Sequence, residues 1–232
     1  MPRRILVIAP HPDDEILGVG GTIAKYAAAG DAVTVVTVAG HRPPLYTEEQ
    51  YQRTVEEARA AHAIVGVARS VFLDLPATML GNEPVHVLNG KLVELVREVD
   101  PQIVLVPYPD RHVDHRIVFE SMMVATRPVG AGARLELVAA FETLSETHWN
   151  APHIEPNFTP SWVNDITGFI DHKTRALRCY ASQISPFPGP RSVEAFNSVI
   201  GSGASRQPTI SVPPLMLMIG QRPPPTLSKN QR

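Results

Sequence analysis

The feature that most constrains the fold is a run of four apolar residues without alternation, Ile5-Leu6-Val7-Ile8, which ends abruptly in polar chemistry. A strand with one wet face alternates, whereas a strand buried on both faces of a parallel sheet does not. The run therefore predicts an interior strand covered on both sides. Its carboxyl end reads A-P-H-P-D-D-E, Ala9 to Glu15. His11, Asp13, Asp14 and Glu15 thus crowd the crevice beyond the strand ends, where open α/β sheets bind their ligands. A histidine and an aspartate three residues apart can turn toward one centre as the chain leaves a strand for a helix, and imidazole with carboxylate suits zinc or ferrous iron. One aspartate can ligate while its neighbour stays free as a base. The plainer account is a helix N-terminus, with Asp14 as cap and Asp13 and Glu15 at the positive end of the dipole. It explains any single acidic residue here, but not three with a histidine and two prolines.

The rest of the first half keeps alternating strand and helix. Ile23, Ala24, Ala27 and Ala28 recur at helical spacing before Gly30, and Ala32 to Ala39 is a β-branched strand. T-E-E-Q at Thr47 opens a helix as a capping box, and Gly66 stops it after Val65. A third strand spans Ser70 to Leu75. Leu88, Leu92, Leu95, Val96 and Val99 stripe a helix over Val87 to Val99, and Gln102 to Pro107 is a fourth strand, again without alternation. This order predicts right-handed βαβ crossovers: an α/β, Rossmann-like fold whose mostly parallel sheet is sandwiched by helices. Gly18, Gly20 and Gly21 come too late for a dinucleotide fingerprint, and acidic residues fill the turn where pyrophosphate would sit. Beyond residue 126 the pattern loosens. Strands are expected at Leu135 to Phe141, Trp162 to Ile166 and Pro214 to Ile219, with a helix over Ile170 to Ala181. One domain over 1–220 is expected, its less regular C-terminal part roofing the site, with a disordered Pro-rich tail at 221–232.

A second dense stretch, P-Y-P-D-R-H-V-D-H-R from Pro107 to Arg116, repeats the logic of the first. Strands one and four are neighbours across the switch point in the common doubly wound orders, so the two clusters should face each other. Asp114 or His115 would begin the next helix. Composition narrows the chemistry further. A net charge of -2 argues against a polyanion binder, so the expected partner is a small molecule and not nucleic acid. The lone Cys179 excludes a Cys-rich zinc site, leaving His and carboxylate as ligands. No apolar run approaches the roughly 20 residues of a membrane span. M-P-R-R leads straight into a strand with no hydrophobic leader, which makes the cytoplasm the expected location.

Ala9 to Glu15, G-G-T-I-A-K-Y at Gly20 to Tyr26 and D-R-H-V-D-H at Asp110 to His115 together carry a resemblance. It extends through E-E-A-R with G-V (Glu56 to Val67) and, more loosely, V-N-D-I with A-L-R-C-Y-A-S-Q (Val163 to Gln183). On these motifs the sequence resembles the PIG-L or LmbE-like family of metal-dependent N-deacetylases, which includes enzymes of mycothiol and bacillithiol biosynthesis. The resemblance implies His11, Asp14 and His115 as zinc ligands, with ferrous iron also suited to such a set. It implies Asp13 as general base, and protonated His112 as the group that stabilises the oxyanion, with Asp114 setting its protonation. The implied reaction removes acetyl from an N-acetylglucosamine-type sugar or conjugate, and assemblies usual in the family imply a homo-oligomer. Two other readings are an amidase acting on a thiol or other sugar conjugate, and a metal-binding Rossmann-like module without turnover. Two departures stand out. Thr54 occupies a place where the family often has a substrate-holding arginine, and Arg53 beside it would point about 100 degrees elsewhere on a helix. Arg53 and Arg111 are the candidate substrate contacts. Near the end, P-T-I-S-V-P-P-L replaces an A-E-A-F-like strand, and Pro213 and Pro214 cannot donate to a ladder.

Overall fold

The structure is a computed structural model, and it describes residues 2–147, 151, 157–195 and the strand backbone of 206–212. β1 (Arg4–Ala9), β2 (Ala32–Gly40), β3 (Arg69–Pro76), β4 (Ile103–Pro107) and β5 (Leu137–Phe141) pair in parallel in the order β3-β2-β1-β4-β5. The expected neighbours β1 and β4 meet in register from Ile5 against Ile103 to Val7 against Leu105. Order reverses between them, so the crevice at the switch point opens beyond Ala9 and Pro107.

The absence of alternation in β1 has a direct cause. Ile5 and Val7 pack into one core with α1 (Asp14–Ala28), α2 (Glu48–Val65) and α6 (Ile170–Cys179). Leu6 and Ile8 pack into another with α3 (Val85–Val99) and α4 (Val113–Ala125). Each face of the sheet is thus a core, which is the α/β sandwich that the sequence implied. The capping box at Thr47 forms in both directions, and Gly66 ends α2 in the left-handed region at φ 78°. α3 starts at Val85, two residues earlier than its apolar stripe suggested, directly behind Pro84.

α1 is almost wholly buried because small residues let other elements touch it. A Cβ on Gly18 would stand 2.2 Å from the Phe141 ring, and one on Gly21 2.6 Å from Ile166 Cδ1. The helix breaks its regular geometry at Val19, with φ -130° and ψ 18°. Lys173 of α6 runs along it and donates from Nζ to Leu17 O at 2.7 Å.

The second half departs from expectation in three places. A short helix, α5 (Leu144–Thr147), follows β5, and a 3-10 turn occupies Gly130–Arg134; neither has a sequence period long enough to read. The last described strand is β7 (Arg206–Val212), which inserts antiparallel between β5 and β6 (Trp162–Asp165). Pro208 within it pairs only with Val163 of β6, while Thr209 to Val212 face β5, so the missing N–H is not needed on that side. The strand expected at Pro214 to Ile219 and the tail at 221–232 lie outside the described residues.

Candidate functional site

The two polar clusters face each other across the switch point. Asp13 takes the N-cap position of α1 at φ 109°, ψ -29°, and its side chain makes no cap bond. Asp14 does not cap the helix either: its Oδ2 accepts the His11 backbone N–H at 2.9 Å. The plain account of Asp14 as the cap therefore fails, and Asp13 holds that position by its backbone alone. That same Oδ2 lies 3.3 Å from His11 Nδ1 and 3.2 Å from His115 Nε2, so one carboxylate oxygen stands between imidazoles from opposite loops.

Each imidazole is held from behind by another carboxylate. His11 Nε2 meets Asp114 Oδ2 at 2.8 Å, and His115 Nδ1 meets Asp110 Oδ2 at 2.8 Å. A carboxylate on the far nitrogen is the usual way a protein orients a metal-binding histidine and fixes its tautomer. His115 Nε2 and Asp14 Oδ1 are buried without a hydrogen-bond partner. Buried polar atoms left unpaired are costly, so this pair of donors fits a cation. Imidazole nitrogen with carboxylate oxygen is also a donor set suited to a borderline divalent ion. The ring nitrogens of His11, His112 and His115 lie within 4.8 Å of one another, so His112 borders the same centre.

The electrostatics follow from this crowding of acids and imidazoles. Burial works against the charged form of His115, yet Asp14 and Asp110 carry it up to about 10. His11 is likewise raised, burial being outweighed by Asp114 and Asp14. Asp14 is held well below the usual carboxylate range: burial opposes this, and His115 and His11 prevail. Burial pushes Asp13 up to about 8 against the pull of Arg191. His112 moves the other way, down to about 4, through burial and the neighbouring His11 and His115. The expected imidazolium is therefore a neutral ring. Its Nδ1 accepts the Asp114 backbone N–H at 3.2 Å, which leaves the ring proton on Nε2. Asp114 also differs from expectation: its carboxylate holds His11 and accepts from Thr78 N at 2.6 Å, and it reaches His112 only through its backbone N–H and its charge.

The candidate substrate contacts are placed less closely. Arg53 projects from the exposed face of α2, and Thr54 beside it is buried, donating to Tyr51 O at 2.8 Å. Arg111 is half-buried in the loop before His112. Several residues at the site escaped the sequence reading. Asp110 had a usable signal, a carboxylate just ahead of a histidine pair. Arg191 had none, because it comes from a Pro-rich loop far along the chain; its Nη1 lies 3.4 Å from Asp13 Oδ2. Glu15 stands in the polar cluster, and what the residues alone do not show is its partners: Oε2 accepts Asp13 N at 3.3 Å and Oε1 accepts the Tyr180 hydroxyl, with His62 Nε2 3.4 Å away.

Comparisons with known proteins identify the family. Residues 6–126 match the family PIG-L, described as GlcNAc-PI de-N-acetylase. A diacetylchitobiose deacetylase of Thermococcus kodakarensis is 30% identical over 78% of this chain and 70% of its own length. A 1D-myo-inositol 2-acetamido-2-deoxy-alpha-D-glucopyranoside deacetylase of Acidothermus cellulolyticus is 28% identical over 80% of this chain and 81% of its own. Among solved structures, the conserved protein TT1542 of Thermus thermophilus is similar with a TM-score of 0.69 and 26% identity, over 95% of this chain and 100% of that one.

Proposed function

We propose, for a chain that belongs to the PIG-L family, the hydrolysis of the acetamide of an N-acetylglucosamine-type sugar or conjugate, with a divalent ion, zinc or ferrous iron, held by His11, Asp14 and His115. The observation that carries this reading is the Asp14 carboxylate set between two imidazoles whose far nitrogens are occupied by Asp114 and Asp110, with His115 Nε2 and Asp14 Oδ1 left without a hydrogen bond. When bound there, a divalent ion would supply Lewis acidity toward the amide carbonyl and lower the pKa of a water to about 7.

The remaining chemistry belongs to the chain. Asp13 follows Pro12 directly beside ligand Asp14, buried and with Oδ1 free of any hydrogen-bond partner, so it can meet a water at the same centre as a general base. It takes the proton of the attacking water and later gives it to the leaving nitrogen, so that amide and water become acetate and a free amine. Neutral His112 directs Nε2–H toward the oxygen on which negative charge develops, a contribution of about 3 kcal/mol for one such donor. Among the described residues no helix is long and apolar enough to cross a membrane. A cytoplasmic enzyme acting on a small acetylated amino sugar fits that, together with a single cysteine.

The test is metal removal and return. Chelated protein should release no acetate from an N-acetylglucosamine conjugate such as diacetylchitobiose, and adding back zinc or ferrous iron should restore release, identifying the ion. Full activity after verified metal removal would end the reading.

A further inference from the structure

The mechanism above leaves one cation at the reacting carboxylate without a task. Arg191 is mostly covered, and its guanidinium spans two acids: Nη1 stands 3.4 Å from Asp13 Oδ2 and Nη2 3.4 Å from Glu146 Oε1. Glu146 is buried on α5, where Oε1 also accepts from Ser145 Oγ at 3.2 Å. The loop that delivers the arginine is tied to itself. Gly189 N donates to Pro186 O at 2.8 Å, Ser192 N to Gly189 O at 2.9 Å, and Ser185 N to Arg191 O at 3.4 Å. Ser192 is fully buried and its Oγ accepts Ala195 N at 3.0 Å, while a Cβ on Gly189 would stand 2.2 Å from Ser185 Oγ. A loop closed in this way holds the stem of Arg191 in place.

The Asp13 carboxylate is consequently divided. Oδ2 faces the guanidinium, whereas Oδ1 is buried without a hydrogen-bond partner. We infer that Arg191 is the positioning residue of the general base: anchored by Glu146, it engages Oδ2, fixes the rotation of the Asp13 carboxylate and leaves Oδ1 to take the proton of the water. This rests on the deacetylase reading above. With a carboxylate on each of its Nη atoms, Arg191 has its charge occupied within the protein, so it is not a clamp for an anionic substrate.

The experiment compares metal-loaded wild type with Arg191→Met, Arg191→Lys and Arg191→Ala, reading kcat and KM for acetate release beside bound-metal content and thermal midpoint. Misplacing a catalytic group by about 1 Å costs about a hundredfold, so Arg191→Met should lose about a hundredfold in kcat with KM and metal content unchanged. Arg191→Lys should recover part of that loss, and added guanidinium ion should restore part of kcat to Arg191→Ala. A rise in KM with kcat intact would make Arg191 a substrate clamp and overturn the inference, as would an unchanged kcat or loss of metal. Should Arg191→Met fail to fold, the lysine variant and guanidinium rescue decide, and absence of rescue in a folded, metal-replete protein counts against it. Wild type that releases no acetate when metal-loaded would instead remove the deacetylase reading itself.

Discussion

The loops after β1 and β4 occupy equivalent places at the switch point and carry similar residues, yet they are built differently. In the loop after β4, His112 is an ordinary extended N-cap at φ -73°, ψ 125°, its Nδ1 accepting Asp114 N. In the loop after β1, Asp13 is forced to φ 109°, a left-handed conformation that costs a non-glycine residue of order 1–3 kcal/mol. The strain persists because the surroundings determine it: Glu15 accepts Asp13 N, Tyr180 and His62 crowd Glu15, and α1 is fitted against Phe141 and Ile166 through Gly18 and Gly21. On the proposed reading the relaxed loop contributes one ligand, His115, and a hydrogen-bond donor, while the strained one contributes two ligands, His11 and Asp14, and the base. Aiming Asp13 at the same centre as its neighbour Asp14 requires a backbone that regular helix entry does not provide.

The largest expected effect separates the two aspartates of the strained loop. Asp13→Asn should lower acetate release by about 10²–10⁴-fold with bound metal retained, as measured by turnover and metal analysis. Loss of metal would merge the two roles. Next, His112→Ala should cost about 10²–10³-fold in kcat, again with metal retained. If metal is lost instead, the ring is a ligand and the relaxed loop belongs wholly to the metal centre.

Packing beneath the strained loop should show in stability. Gly21→Ala places a Cβ 2.6 Å from Ile166 and should destabilise by about 1–3 kcal/mol in denaturant unfolding. A neutral outcome would mean that α1 is not wedged. Lys173, which donates to Leu17 O, gives a pH signature. Burial drives its pKa down to about 7, with Glu142 opposing, while in the unfolded chain it stays at the ordinary lysine value of about 10.4. Between those limits the unfolded state binds more protons, so this group makes stability rise with pH from about 7 upward, with a slope of at most about 1.4 kcal/mol per unit. The difference between wild type and Lys173→Met should carry that slope, and a flat difference would place the ammonium in solvent. Smallest is the strain itself. Asp13→Gly should be about 1 kcal/mol more stable than Asp13→Asn, because glycine adopts positive φ at no steric cost. Equal stabilities would mean that Asp13 is not strained.

Much of this molecule was legible in the residues alone. The unalternating runs at Ile5 and Gln102 implied a sheet covered on both faces, and a strand end emptying into His and Asp twice implied that the two polar loops meet, since both are consequences of local periodicity and of the few topologies open to βαβ units. The His11 and His115 rings lie 3.3 Å and 3.2 Å from one oxygen of Asp14. What only the tertiary structure decided is how those groups are held and charged. Whether His112 carries a second proton, whether the Asp114 carboxylate serves His11 or His112, and which residue reaches Asp13 from the far end of the chain all depend on burial and on neighbours remote in sequence. Arg191 and Lys173 have no local pattern that announces them, and the motif around Tyr180 does not show which carboxylate it meets, because their contacts are made by α6 and the loops around it folding back over α1. Periodicity records which face of an element is buried; the energy of an ionisable group is set by everything packed around it, and that becomes defined only once the chain has closed.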